Sequence, residues 1–214
     1  MKTIADKALE FAKKCCDGDS GGHDFGHIER VYTLAVRLAE SEGADVEVCA
    51  LAAALHDVDD RKLSPDTYGN KGNARRFASS AGLSEQMTER IVHIIEQVSF
   101  KGSSSVVPDS VEGMVVQDAD RLDALGAVGI ARCFAYGGSV GREIYTRGEK
   151  PRVGADERTY YASKTCSINH FYEKLLLLKD MMNTDSAKRE AALRHDYTVG
   201  FLKEFFRETG ESEL

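Results

Sequence analysis

Residues 50–60 read ALAAALHDVDD. The first six are apolar, continue the run VCALAAAL at 48–55, and predict a helix buried on all sides. His56, Asp57, Asp59 and Asp60 then follow within five positions. Burying such groups without partners costs several kcal/mol. They must therefore reach solvent or surround a positive charge, and any fold for this chain has to provide one or the other.

The rest of the chain repeats the helical period. Ile4, Ala8, Phe11 and Ala12 share one face of a helix over 3–15. Asp24 is placed to cap a helix running to about Glu42, with Ile28, Val31, Leu34, Ala35 and Leu38 on one side and Gly43 as its stop. The apolar run itself predicts a third helix over about 45–57, followed by a polar loop over 61–72. Further helices are expected over about 73–81, and over 85–98 with Met87, Ile91, Ile94, Ile95 and Val98 inward. A long helix over 111–136 has a weak point at Gly126 and Gly129. Residues 137–158 hold no sustained period and predict a loop or flap, before two last helices over about 160–182 and 185–208. No stretch alternates with the period of two that paired strands need, so the expectation is an all-α helical bundle forming a single domain over 1–214.

Composition narrows the function. A net charge of -7 argues against general nucleic-acid binding, which wants a basic surface. It leaves an anionic small molecule open, because a bound cation inverts the local field. The start of the chain lacks the layout of a secretion signal and VCALAAAL is too short to span a bilayer, so a cytoplasmic protein with no membrane partner is expected. Cys15, Cys16, Cys49, Cys133 and Cys166 are scattered without metal-ligand spacing and read as reduced thiols.

The candidate chemistry falls in three segments. In HDFGHIERV (23–31), His27 lies in step with Val31, Leu34 and Leu38 and so points toward the core. His56 and Asp57 end the apolar helix, and VVQDADRLDALGA (115–127) carries Asp118, Asp120 and Asp123 after a short apolar run. Imidazole nitrogen and carboxylate oxygen together suit a divalent transition metal, and such a cluster is costly without a cation. The alternative for His27 is a hydrogen-bonded core histidine. For the three aspartates it is a solvated face paired with Arg121 and Arg132.

In order along the chain, HDFGHIERV, ALHDVDDRK, SFKG, VVQDADRLDALGAVGIAR and INHFYEKLLLLKDMMNT resemble the HD superfamily of metal-dependent phosphohydrolases. They are most similar to a bacterial subgroup that includes a (deoxy)nucleoside triphosphate pyrophosphohydrolase. The resemblance spans about residues 23–184. It implies an all-helical fold with one divalent ion (Mn, Co, Ni, Fe or Mg) at its centre, held by His27, His56, Asp57 and Asp120. Asp120 is chosen over Asp118 because the family's ligand sits in Ala-Asp-Arg-Leu, here 119–122. It also implies an acidic general base near the same helix end: Asp60, with Asp59 competing for that description. Lys62, Arg30, His93 and Arg121 are the leading candidates for substrate phosphate, with Lys101, Arg147, Lys164 and Lys174 behind them. His93, with Glu96, lies on the polar face of its helix, where exposure is the default, and a second metal through added histidines is the less favoured form. His170, Tyr172 and Lys174 are candidates for a base or ribose pocket, but the favoured reading of that segment is packing through Phe171, Leu175 and Leu178 with a hydrogen-bonded His170. The expected partner is a nucleotide or other phosphorylated small molecule, cut to the monophosphate and pyrophosphate. The alternatives are a nucleoside 5'-monophosphate phosphomonoesterase and a non-catalytic metal- or nucleotide-binding regulatory module. Oligomeric state has no signature in the sequence.

Overall fold

A computed structural model of the protein describes residues 2–16, 24–61, 64–98, 105–153 and 165–211. No strand occurs among them, and the protein is all-α. Its helices are α1 (Ile4–Cys15), α2 (Phe25–Glu42), α3 (Val46–Leu55), α4 (Pro65–Tyr68), α5 (Gly72–Ser80), α6 (Glu85–Val98), α7 (Val111–Asp123), α8 (Gly126–Ser139), α9 (Ser167–Glu173) and α10 (Asp185–Thr209), with a 3-10 helix at Leu175–Met181 between the last two. The chain gathers into two compact units: Met1–Ser99 with Val106–Asp120, and Phe100–Ser105 with Arg121–Leu214.

The first unit is built around α3, whose residues Val48 to Leu55 are all buried. It packs against α1, α2 and α6. Each leucine or valine so enclosed contributes about 1.5–3 kcal/mol, so this short helix is the unit's main apolar anchor. Its neighbours carry strong local start and stop signals. Thr3 and Asp6 form a reciprocal capping box on α1. Asp45 caps α3 by accepting from the Glu47 and Val48 amides. Gly43 ends α2 in the left-handed conformation at φ 67°, its N–H donating to the Ala39 carbonyl. At α7, Gln117 donates through Nε2 to the Gln97 and Val106 carbonyls at 2.8 and 3.0 Å.

The second unit packs α8, α9, the 3-10 helix and α10 around Phe134, Phe171 and Phe201, whose ring centroids stand pairwise 5.8 Å apart. Gly126 enters α8 at φ 70° and donates its N–H to Thr198 Oγ1 at 3.1 Å.

The structure corrects several expected boundaries. The third helix stops at Leu55, and residues 56–59 form a turn. The loop expected over 61–72 contains α4, started by Pro65, whose fixed φ suits a first helical position. The helix expected over 111–136 is two helices. They break at Ala124–Leu125, where a Cβ on Gly129 would lie 2.2 Å from the Ala124 carbonyl oxygen. The break brings backbone closer to Gly129 than any side chain allows. The flap expected over 137–158 begins later, because α8 runs through Ser139. Its residues up to 153 are tied to α9: the Ser167 and Ile168 amides donate to the Glu143 and Ile144 carbonyls at 2.8 and 3.0 Å, and the Cys166 amide donates to Glu149 Oε2 at 2.8 Å. Residues 154–158, and the start of the helix expected over 160–182, lie outside the described residues. That helix is itself interrupted at Lys174, with φ -142° and ψ -59°, and continues as the 3-10 segment. No described helix is long and apolar enough to cross a membrane.

Candidate metal centre

The first unit brings four of the expected side chains to one point. His27 sits in the first turn of α2, where its backbone N–H donates to Asp24 Oδ1 at 2.7 Å. The cap fixes the entry of the helix, and the face shared with Val31, Leu34 and Leu38 carries the imidazole inward to 1% exposure. His56 follows the buried α3, and its Nδ1 lies 2.8 Å from the Ala53 carbonyl. A proton on Nδ1 donated to that carbonyl leaves the Nε2 lone pair for another partner, the arrangement usual in histidine ligands. Asp57 is the next residue of the turn, and Asp120 comes from α7.

The atoms that face one another are donor atoms. His27 Nε2 and His56 Nε2 are 3.2 Å apart. Asp57 Oδ2 lies 3.4 Å from the former and 3.3 Å from the latter. Asp120 Oδ1 lies 3.4 Å from His27 Nε2 and 3.9 Å from His56 Nε2. Ligands bound to one ion at about 2.1 Å stand about 3.0 Å apart when adjacent and about 4.2 Å when opposite. The observed separations fall in that interval, so the residues fit a divalent ion. His27, His56 and Asp57 form a buried group whose ligand atoms lie within 4.8 Å of one another, and Asp120 Oδ1 faces the two imidazoles of that group.

Electrostatics agree. Burial of His56 works against its charge, yet Asp57 and then Asp120 outweigh burial and hold its pKa up at about 9. Positive charge is what this site favours. The C-terminal end of α3 offers anions no help from its dipole, so the carboxylates depend on a cation among them.

The neighbouring acidic residues separate by role. Asp59 is 1% exposed, and its carboxylate accepts from the Asn73 and Ala74 amides, both at 2.9 Å. Asp60 is half-buried, with its own amide donating to the Asp57 carbonyl at 3.0 Å. Asp118 and Asp123 are buried, at 0% and 1%, rather than on the solvated face offered as an alternative, and Asp123 pairs with Arg132 at 2.9 Å. Sequence reasoning did not find Asp59's bond to α5, because nothing local in 56–60 signals it.

The expected cations are dispersed. Arg30 is half-buried, with Nη1 3.2 Å from where a Gly26 Cβ would stand, so it lies over the backbone next to His27. His93 is exposed and 2.8 Å from Asp109 Oδ2. Arg121 is 4% exposed and donates to the Met181 carbonyl. Lys62, Lys101 and Lys164 lie outside the described residues. In the second unit His170 is half-buried, and burial followed by Lys174 and Arg142 pushes its pKa down to about 3. No disulfide joins the cysteines, and burial pushes the Cys49 and Cys133 thiols up to about 12.

Two imidazoles and the carboxylate of a His-Asp pair thus gather at the end of a buried helix in an all-α unit, with Asp120 facing them. The HD domain family model matches residues 24–125, and the chain belongs to the HD superfamily of metal-dependent phosphohydrolases. Among its relatives, the Bacillus subtilis protein YpgQ is 38% identical over 203 residues, covering 94% of this chain and 91% of that protein. The structure of YpgQ in complex with ADP is similar at TM-score 0.76 and 36% identity, covering 95% of this chain and 97% of that one. A Lactobacillus plantarum protein is similar at TM-score 0.86 and 37% identity over 98% and 99% of the two chains. An HD-superfamily hydrolase from Bacillus thuringiensis is similar at TM-score 0.73 and 39% identity over 97% of each.

Proposed function

We propose that this phosphohydrolase acts on nucleotides, and that its leading reaction converts a (deoxy)nucleoside triphosphate to the monophosphate and pyrophosphate. The observation that carries the reading is that His27 Nε2 and His56 Nε2 stand 3.2 Å apart, with Asp57 Oδ2 and Asp120 Oδ1 each 3.3–3.9 Å from both. The ADP complex of the relative YpgQ supports the substrate class.

His27, His56, Asp57 and Asp120 would hold one divalent ion. Two imidazoles favour Mn²⁺, Co²⁺, Ni²⁺ or Fe²⁺ over Mg²⁺. Such an ion lowers the pKa of a water and neutralises charge on phosphoryl oxygens. Asp60 is the general base in this reading. It belongs to the same turn as Asp57 but keeps partial solvent contact, whereas the Asp59 carboxylate is occupied by two amides. A carboxylate in that place takes the proton of the attacking water. In a chain of net charge -7, phosphate also needs donors held close to the site. Arg30, beside His27, and Lys62, two residues past Asp60, are the cations we retain. Arg121 is engaged with a main-chain carbonyl and His93 with Asp109.

The test is a substrate screen on metal-stripped protein reloaded with Mn²⁺, Co²⁺, Ni²⁺ or Mg²⁺, with products separated by chromatography. Pyrophosphate and monophosphate from deoxynucleoside triphosphates are expected. Orthophosphate from nucleoside monophosphates would replace this reaction by phosphomonoester hydrolysis. No product from any nucleotide with metal bound would refute the nucleotide reading and leave a sensor or a non-nucleotide phosphohydrolase.

A further inference from the structure

We propose that Asp59 is a positioning residue for the metal centre: by capping α5 across the unit, its carboxylate holds the His56–Asp60 turn in the geometry that aims Asp57 at the two imidazoles. The proposal rests on the metal-centre reading of His27, His56, Asp57 and Asp120.

Helix α5 has no cap of its own. Lys71 stands at its N-cap, makes no side-chain cap bond and adopts φ 52°, and it is the one non-glycine residue with positive φ among the described residues. Its ammonium lies 4.2 Å from the Tyr68 ring centroid. The first amides of a helix have no partner within the helix, and here Asn73 and Ala74 are buried, at 7% and 2% exposure, so water is a poor substitute. Their acceptors are the two oxygens of Asp59, each at 2.9 Å. A carboxylate so placed also meets the positive end of the helix dipole.

The contact runs in both directions. Asn73 Nδ2 donates to the Val58 carbonyl at 2.7 Å, and Arg76 Nη2 holds Asn73 Oδ1 at 2.7 Å. Residues 58 and 59 are thus gripped at three points by residues 73 and 74. On the other side of Asp57, His56 is tied to α3 through the Ala53 carbonyl. Within the turn, the Val58 amide donates to Leu55 at 3.3 Å and the Asp60 amide to Asp57 at 3.0 Å. Asp57 therefore sits between two anchored neighbours, with little freedom to swing its carboxylate away from His27 and His56. A serine or aspartate at position 71 would cap α5 at lower backbone cost. Instead the chain keeps a strained lysine there and recruits the carboxylate that lies two residues past the ligand Asp57 and next to the candidate base Asp60.

Asp59→Asn tests this. It keeps the shape and one acceptor oxygen but sets an amide NH₂ against a backbone N–H. Metal-free protein is titrated with Co²⁺, followed by calorimetry and visible absorption, with circular dichroism and melting as the check on folding. The expected result is a folded variant that binds Co²⁺ about 10–100-fold more weakly, with an altered Co²⁺ absorption band. Asp57→Ala provides the spectrum of a site missing that ligand. Asn73→Ala releases the grip on Val58 while leaving both amides on Asp59, is expected to weaken Co²⁺ in the same sense, and carries the test if Asp59→Asn does not fold. Folded variants that keep wild-type Co²⁺ affinity and absorption would overturn the proposal and leave Asp59 as a helix cap only. A wild-type protein that binds no Co²⁺ would instead overturn the metal-centre reading, and the proposal with it.

Discussion

His170 makes a pH dependence that can be worked through from the structure. The ring is half-buried on α9, and burial, then Lys174, then Arg142 push its pKa from 6.5 down to about 3. The folded state therefore holds this histidine neutral where the unfolded chain would protonate it. Stability from this source is complete above 6.5 and is lost as pH falls from 6.5 toward 3. At pH 5 the full shift would remove about 2 kcal/mol of stability, at 1.36 kcal/mol per pH unit over the 1.5 units below 6.5. Solvent at the half-buried ring screens the two cations, so about 1–2 kcal/mol is the expected loss. The assay is urea unfolding of metal-free wild type and His170→Asn at pH 7.5 and pH 5. Other groups, including His56 with its raised pKa, titrate alike in both proteins and cancel in the comparison. Wild type should lose about 1–2 kcal/mol more than the variant between the two conditions. Equal losses, or a His170 proton resonance that titrates near 6.5, would refute the assigned environment. At neutral pH His170 therefore offers a neutral hydrogen-bonding ring, not a cation.

Three further outcomes follow from named contacts. Asp60→Ala should retain bound metal and lower turnover on the order of 10²-fold or more, measured by metal analysis beside a steady-state assay; unchanged turnover removes Asp60 from the chemistry. Asp57→Ala should lose metal and turnover together, because its Oδ2 is within 3.4 Å of both imidazoles. Gly129→Ala should destabilise the protein by about 1–3 kcal/mol despite alanine's higher helix propensity, because the new Cβ would meet the Ala124 carbonyl at 2.2 Å; a melting temperature equal to wild type would show that the α7–α8 junction relaxes without cost.

Why some of this was readable in the sequence and some was not comes down to how far each signal reaches along the chain. His27 announces itself because it falls in step with Val31, Leu34 and Leu38, a pattern contained within α2. His56 and Asp57 announce themselves because an eight-residue buried run ends on them. Asp120 was separable from Asp118 only through the Ala-Asp-Arg-Leu motif, since both follow the same apolar run; in the structure Asp118 is fully buried while Asp120 reaches the imidazoles. The break at Ala124–Leu125 was half visible in two glycines, but its cause is a backbone approach that no helical period encodes. Asp59 and Asp60 are the sharpest case. Side by side, with the same side chain and the same distance from solvent in any local reading, they are told apart by a helix that starts thirteen residues beyond Asp59. The strained, uncapped start of α5 takes the Asp59 carboxylate for its amides, while Asp60 stays half-buried beside it. The division of labour between anchor and candidate base is thus a property of α5 as much as of the motif that carries them, and changes at Lys71 or Asn73 should register at the metal.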